Sequence, residues 1–304
     1  MSVAWETFEG VVAPLFSPLD RRERIIERDL VKLVRHLLAR GIHGFLAPSG
    51  TGEFFGLSAE ERRRTVAIVA GEAKGQVPVM AIAGACSTKE SLAHIEAARR
   101  AGADAVMATP PYYAPVDQRG LFDFYRTLAT EGGLPLWLYH QPGETKLTIE
   151  PDTVAALAKI PGIVGIKVSA GADLLYYHRI VRRLRERPAF RVLMGEDFNC
   201  LGAFALGGHG AVATLANILP EEFVGLWKAV KGGDLATARL LQDRIMDAQE
   251  LLVFVKTGSM QGACKLVLQK RRLFRTARCT APLQALTPEE AARVESRARA
   301  MRLF

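Results

Sequence analysis

Cysteine is scarce in these 304 residues: Cys86, Cys200, Cys264 and Cys279 stand far apart, with no C-x-x-C and no companion histidine spacing. That pattern offers neither a disulfide framework nor a zinc knuckle, and the four are expected as small buried apolar side chains. No apolar stretch is long enough to cross a bilayer, and Trp5, Glu6 and Glu9 stand where a secretory leader has its apolar run. A cytoplasmic address is the expectation. The six histidines form no H-E-x-x-H or other ligand spacing, so no metal is expected. Gly207-Gly208-His209-Gly210 lacks the third glycine of a dinucleotide fingerprint, and no Gly-Lys-Ser/Thr of the Walker type occurs. No nucleotide or other cofactor is expected. Low-complexity segments and solenoid repeats are absent too.

What is present is a globular composition, 49% apolar and 24% charged, with a formal net charge of +8. The densest basic clusters, Arg21-Arg22-Glu23-Arg24, Arg182-Arg183-Leu184-Arg185 and Lys270-Arg271-Arg272, carry no interleaved stacking aromatics. They read as solvated surface rather than a nucleic-acid site, compatible with a mild attraction for small anions.

Eight short apolar segments recur: 10–16, 43–49, 77–84, 105–111, 134–140, 163–169, 190–196 and 210–217. Near-continuous apolarity bounded by Gly or Pro marks strands buried on both faces. Between them lie amphipathic stretches such as 29–40, with Leu30, Leu33, Val34, Leu37 and Leu38 on one face before Gly41, and 87–101, ending at Gly102. Ser58-Ala59-Glu60-Glu61 has the form of a capping box opening a further helix. Strand then helix, eight times, is the count that closes a (β/α)8 barrel of the TIM type, an α/β fold. Residues 1–219 are read as the barrel. Residues 220–304, with helices near 221–231, 234–254 and 288–302, are read as a helical extension packed on it.

Reactive groups in such a barrel sit at the C-terminal strand ends. Lys167 is the anomaly there, a lysine inside Ile163-Val164-Gly165-Ile166-Lys167-Val168. An uncompensated ammonium in a buried strand is costly, which favours the neutral amine that a Schiff-base nucleophile requires. The strand alone does not separate that role from a lysine that reaches solvent or pairs with a carboxylate. Tyr139 ends another buried strand, where a phenol in the same mouth suits proton transfer; taken singly it also reads as a core aromatic. The turn Ser49-Gly50-Thr51-Gly52-Glu53 exposes successive N–H groups that suit a carboxylate, or is an ordinary strand-to-helix turn. Glu196-Asp197 is the best carboxylate pair and reads first as loop capping.

Together these strand ends resemble the dihydrodipicolinate synthase and N-acetylneuraminate lyase family of class I aldolases. The likeness runs from Gly10-Val11-Val12-Ala13-Pro14-Leu15-Phe16 to Pro282-Leu283-Gln284-Ala285-Leu286-Thr287. The family's G-T-T-G-E loop is similar to Ser49 to Glu53, T-P-x-Y-Y to Thr109 to Tyr113, Y-N-x-P to Tyr139 to Pro142, and G-[IL]-K-D-S to Gly165 to Ser169. The resemblance implies an imine between Lys167 and pyruvate or another 2-oxo acid. It implies proton relay by Tyr139 and carboxylate binding by the Gly50 and Thr51 amides and the Thr51 hydroxyl. Gly195 falls at a further substrate-binding position, Val212 at one whose backbone touches the bound pyruvate, and Tyr113 at that of a relay tyrosine supplied by a neighbouring subunit. A homotetramer, a dimer of dimers, is implied as well.

Two departures stand out. Gly50 replaces the first hydroxyl of the loop, leaving Ser49 or a water to complete the relay. In Tyr139-His140-Gln141-Pro142-Gly143-Glu144, Glu144 stands where the synthase has the arginine that binds aspartate semialdehyde, and a carboxylate there repels that substrate. His140, Gln141 and Glu144 are therefore the expected specificity residues. Ser49 to Leu57 is closer to the G-G-T-G-E-F-F-x-L of the 5-dehydro-4-deoxyglucarate dehydratase branch, although the loop after strand five is not that branch's either. The first reading is thus a lyase, an aldolase or dehydratase of a 2-keto-3-deoxy sugar acid. The second is the synthase condensing pyruvate with aspartate semialdehyde, and the third a non-catalytic metabolite-binding barrel.

Overall fold

The computed structural model describes residues 3–253 and 255–304. Eight parallel strands close into a barrel in sequence order: β1 (Gly10–Pro14), β2 (Gly44–Leu46), β3 (Val79–Ile82), β4 (Ala105–Ala108), β5 (Leu136–His140), β6 (Ile163–Val168), β7 (Arg191–Met194) and β8 (Gly210–Val212). This is the (β/α)8 fold expected, with strands shorter than their apolar segments at one or both ends. Period-two alternation sorts the side chains. Val12, Leu46, Met80, Met107, Trp137, Tyr139, Leu193 and Val212 fill the barrel, while Val11, Phe45, Val106, Leu138 and Val192 face the helices. The N-terminal turn closes the floor: Trp5 and Phe8 meet the Trp137 ring edge-on, at 5.7 and 6.2 Å between centroids. The barrel closes between β8 and β1 at Gly210, whose φ of +143° and lack of a Cβ let its backbone lie against the Gly10 carbonyl.

The covering helices are α1 (Glu27–Leu38), α2 (Ala59–Ala73), α3 (Thr88–Arg100), α4 (Gln118–Glu131), the short α5 (Pro142–Thr145) and α6 (Pro151–Leu157), α7 (Leu174–Arg183) and α8 (Cys200–Ala205). Ser58 does cap α2, accepting from the Glu61 N–H at 3.2 Å. The reciprocal half of the expected box is not made, because the Glu61 carboxylate instead accepts from the Ile25 N–H at 2.7 Å. A complete capping box occurs at Thr287 and Glu290. Four helices follow β8 rather than the three expected: α9 (Pro220–Lys231), α10 (Leu235–Val253), α11 (Met260–Lys270) and α12 (Pro288–Ala300). Phe254, the expected end of the second, lies outside the described residues. Of the cysteines, Cys200 and Cys264 are buried as expected, but Cys86 is exposed and Cys279 half-buried. Among the described residues no helix is long and apolar enough to cross a membrane.

Two carboxylates fix the last helices, one to each other and one to the barrel mouth. Glu290 accepts from the N–H groups of Lys256, Thr257 and Thr287 at 2.7, 2.7 and 2.9 Å, pinning the connection between α10 and α11. These donors, Thr257 first, hold its pKa down at about 2. Glu53, in the turn after β2, forms an ion pair with Lys265 of α11, both side chains wholly buried. The Lys265 Nζ also donates to the Arg278 carbonyl at 2.7 Å, and Glu53 accepts from the Thr280 N–H at 2.5 Å.

Removing one member of a fully buried pair strands the other charge, so Lys265→Met is expected to cost about 3–5 kcal/mol in urea unfolding. The double variant Glu53→Gln/Lys265→Met is expected to regain much of that. A loss in the double variant equal to the sum of the two single-variant losses would show that the pair is not coupled.

Candidate active site

The pairing of β5 with β6 sets Tyr139 directly beside Lys167. Both side chains point into the mouth and are almost wholly buried, at 3% and 6% exposure. The Lys167 Nζ donates to the Tyr139 hydroxyl at 2.9 Å and lies 4.2 Å from the centre of its ring. Gly195, the residue after β7, leaves room for that lysine: a methyl group there would overlap the Ser169 Oγ and lie 2.8 Å from the Lys167 Cε. Above them opens a cavity of about 600 Å³, the size of a small-ligand site.

Of the residues singled out in the sequence, Gly50, Thr51, Tyr139, Gln141, Glu144, Lys167 and Gly195 line this cavity. Thr51 Oγ1 lies 3.1 Å from Thr214 Oγ1, and a Cβ on Gly50 would meet nothing within 4 Å, so the missing hydroxyl leaves open space. Four others lie elsewhere. The Ser49 hydroxyl is buried, accepting from the Gly52 N–H at 3.0 Å, so it stiffens the turn rather than facing the cavity. His140 follows Tyr139 on the strand and points outward. Its ring stacks on Tyr176 at 4.1 Å, its Nδ1 accepts from the Ile149 N–H at 3.4 Å, and burial lowers its pKa to about 4. The Val212 side chain is part of the barrel filling below. Tyr113 is 90% exposed and outside the cavity of its own chain, whereas its neighbour Tyr112 lines it.

The two members of the Glu196-Asp197 pair differ. Glu196 faces the cavity and accepts from the Gly171 N–H at 3.2 Å. Its pKa is raised, first by burial and also by Glu144, against the lowering effects of Gly171 and Lys167. Asp197 does cap a loop, accepting from the N–H groups of Thr214 and Leu215 at 2.9 and 2.8 Å. Burial outweighs these donors and pushes its pKa up to about 7. Through Thr214, Asp197 thus positions the hydroxyl next to Thr51.

Residues that the sequence reading passed over complete the walls: Thr214 after β8, Gln249 and Leu252 of α10, and Met260 and Gln261 of α11. Thr214 stands at a strand end and was findable by that rule. Gln249 and Gln261 carry no such signal, since a polar residue on a helix reads as solvated. Among the described residues no group of three or more His, Cys, Asp or Glu is placed to hold a metal ion.

Gly195→Ala is expected to displace the lysine and lower activity by about 10²-fold with the circular dichroism spectrum unchanged; an unimpaired variant would mean that Lys167 tolerates displacement. Asp197 has a folded-state pKa above its unfolded value near 3.8, so it binds a proton that the unfolded chain has lost. Its contribution to stability therefore falls as pH rises from about 4 to about 7. The urea midpoint is expected to drop over that range and to drop less in Asp197→Asn; an identical slope in both would place the titration elsewhere.

Comparison with known proteins agrees with this arrangement. The model of the dihydrodipicolinate synthetase family matches residues 7–301. The 4-hydroxy-tetrahydrodipicolinate synthase of Phenylobacterium zucineum is 37% identical over 245 residues, covering 81% of this chain and 82% of the relative. That of Maridesulfovibrio salexigens is 33% identical over 300 residues, 98% of this chain and all of the relative (100%). The structure of dihydrodipicolinate synthase from Bacteroides thetaiotaomicron superposes with a TM-score of 0.92 at 30% identity, covering 96% of this chain and 98% of that one. A chloride-inhibited dihydrodipicolinate synthase from Acinetobacter baumannii, complexed with pyruvate, gives 0.91 at 28% identity, covering 98% and 100%. With a match over nearly its whole length and a lysine–tyrosine pair at the barrel mouth, this chain belongs to the dihydrodipicolinate synthetase family and is a lyase of the class I aldolase type.

Proposed function

We propose that the protein binds pyruvate or a related 2-oxo acid as an imine on Lys167 and makes or breaks the bond at the adjacent carbon. The observation that carries this is the buried Lys167–Tyr139 pair at 2.9 Å. The amine adds to the C2 carbonyl, and the carbonyl oxygen leaves as water. The Tyr139 phenol is placed to take a proton from the nitrogen and return one to the departing oxygen. The protonated imine withdraws electrons, so C3 loses a proton and becomes an enamine carbon. That carbon attacks an aldehyde, whose oxygen takes up a proton; the reverse sequence cleaves the same bond. The Gly50 and Thr51 amides and the Thr51 hydroxyl hold the carboxylate of the 2-oxo acid. Tyr113 is turned outward, as a residue completing a neighbouring subunit's site in a homotetramer would be.

For the second substrate, the names of the relatives support aspartate semialdehyde, hence 4-hydroxy-tetrahydrodipicolinate synthesis in this chain too. A specific observation favours the other reading, an aldolase or dehydratase of a 2-keto-3-deoxy sugar acid. Glu144 lines the cavity where the resemblance calls for arginine, and Gly50 brings no hydroxyl. A carboxylate facing Glu144 is repelled, whereas a hydroxyl is not.

Incubation with pyruvate and borohydride is expected to leave a reduced adduct on the Lys167 peptide, absent in Lys167→Ala; no adduct with any 2-oxo acid would sink the imine reading. Tyr139→Phe is expected to slow trapping by about 10²-fold or more. If the acidic residue excludes aspartate semialdehyde, Glu144→Arg raises kcat/KM for it by about tenfold. A wild type already efficient with that aldehyde would establish the synthase reading instead.

A further inference from the structure

The cavity has a second end that the imine chemistry does not use. Lys167 is the one lysine or arginine among the lining residues, while Glu144, Glu196 and Asp197 supply three carboxyl groups. Three amides line the cavity as well: Gln141 just after β5, Gln249 on α10 and Gln261 on α11. The Gln249 Oε1 is buried and has no hydrogen-bond partner among the described residues. The Oγ1 of Thr109, another lining residue, is in the same condition. A buried polar atom left unpaired is unfavourable, and a ligand group that pairs with it recovers that loss on binding. The helices that carry Gln249 and Gln261 are anchored at their junction. The Glu53–Lys265 pair ties α11 to the barrel, and Glu290 pins the connection that follows α10.

From this geometry we infer that Gln249 is a specificity-determining residue that hydrogen-bonds a hydroxyl on the part of the substrate beyond the imine. Gln141, Gln261 and Glu144 complete the subsite. The substrate class is a 2-oxo acid with an uncharged hydroxylated chain, formed from pyruvate and a hydroxyaldehyde or cleaved back to them. A second carboxylate finds no cation to meet it, and a plain alkyl chain leaves the Gln249 amide unpaired. The inference rests on the imine reading above and names its acceptor.

The test uses the full-length protein with pyruvate and three aldehydes: glyceraldehyde, propanal, which is glyceraldehyde without its hydroxyls, and aspartate semialdehyde. Borohydride trapping of pyruvate alone is run alongside. The wild type is expected to prefer glyceraldehyde to propanal by about tenfold or more in kcat/KM. In Gln249→Leu that ratio is expected to fall towards unity. A ratio taken within one variant is insensitive to how much of the protein is folded. Gln249→Glu, which keeps an acceptor, is expected to retain most of the preference. Trapping with equal or better use of propanal or of aspartate semialdehyde would overturn the subsite and leave the imine intact. An unchanged preference in Gln249→Leu would likewise remove Gln249 from the role. Failure to trap pyruvate or any 2-oxo acid would overturn both.

Discussion

A carboxylate and an ammonium withdrawn from water, Glu53 and Lys265, couple the two parts of the molecule that form the site. Glu53 belongs to the turn that presents Gly50 and Thr51; Lys265 belongs to a helix more than two hundred residues further on. Either charge left alone in that place is costly, so the turn and the helix stabilise one another. The left-handed backbone at Glu53, with φ of 60°, is held by this pair and by the Thr280 N–H. The last helices are thereby more than a covering for the barrel. They supply Gln249, Leu252, Met260 and Gln261 to a cavity whose reactive end lies on the strands.

The barrel was legible because strands buried on both faces leave a plain trace, and eight of them admit few alternatives. The lysine was legible for the same reason: a charge inside an apolar run stands out. Lys265, within Ala263-Cys264-Lys265-Leu266-Val267-Leu268, bears the same mark. The rule that found Lys167 applied equally well to it, but the run was not recognised as a helix. Residues assigned by neighbourhood along the chain fared unevenly. His140 sits next to Tyr139, and the pleat sends the two to opposite sides of the strand. The Ser49 hydroxyl serves the turn, and the Val212 side chain serves the core while the contact expected of that residue is through its backbone. What the sequence withheld is the register between distant segments, which decides that a glutamine on α10 and a lysine on β6 line one cavity.

The charge of the chain and the charge of its site have opposite signs. The surface is basic by +8, yet the mouth gathers three acidic side chains around one lysine. A positive surface draws small anions toward the protein at long range, where all charges act together. Inside the cavity the nearest groups dominate, and on the reading proposed above a single negative charge would be held at Lys167 and the Thr51 turn while a second would meet Glu144. Attraction and selection are separated in space.

The aromatic floor beneath the strands has a kinetic meaning. With Trp5, Phe8 and Trp137 sealing one end, the barrel is a blind well with a single rim. Anything that reaches Lys167 enters and leaves past the helix side of the mouth, so on the imine mechanism proposed above the 2-oxo acid would load first and its partner second.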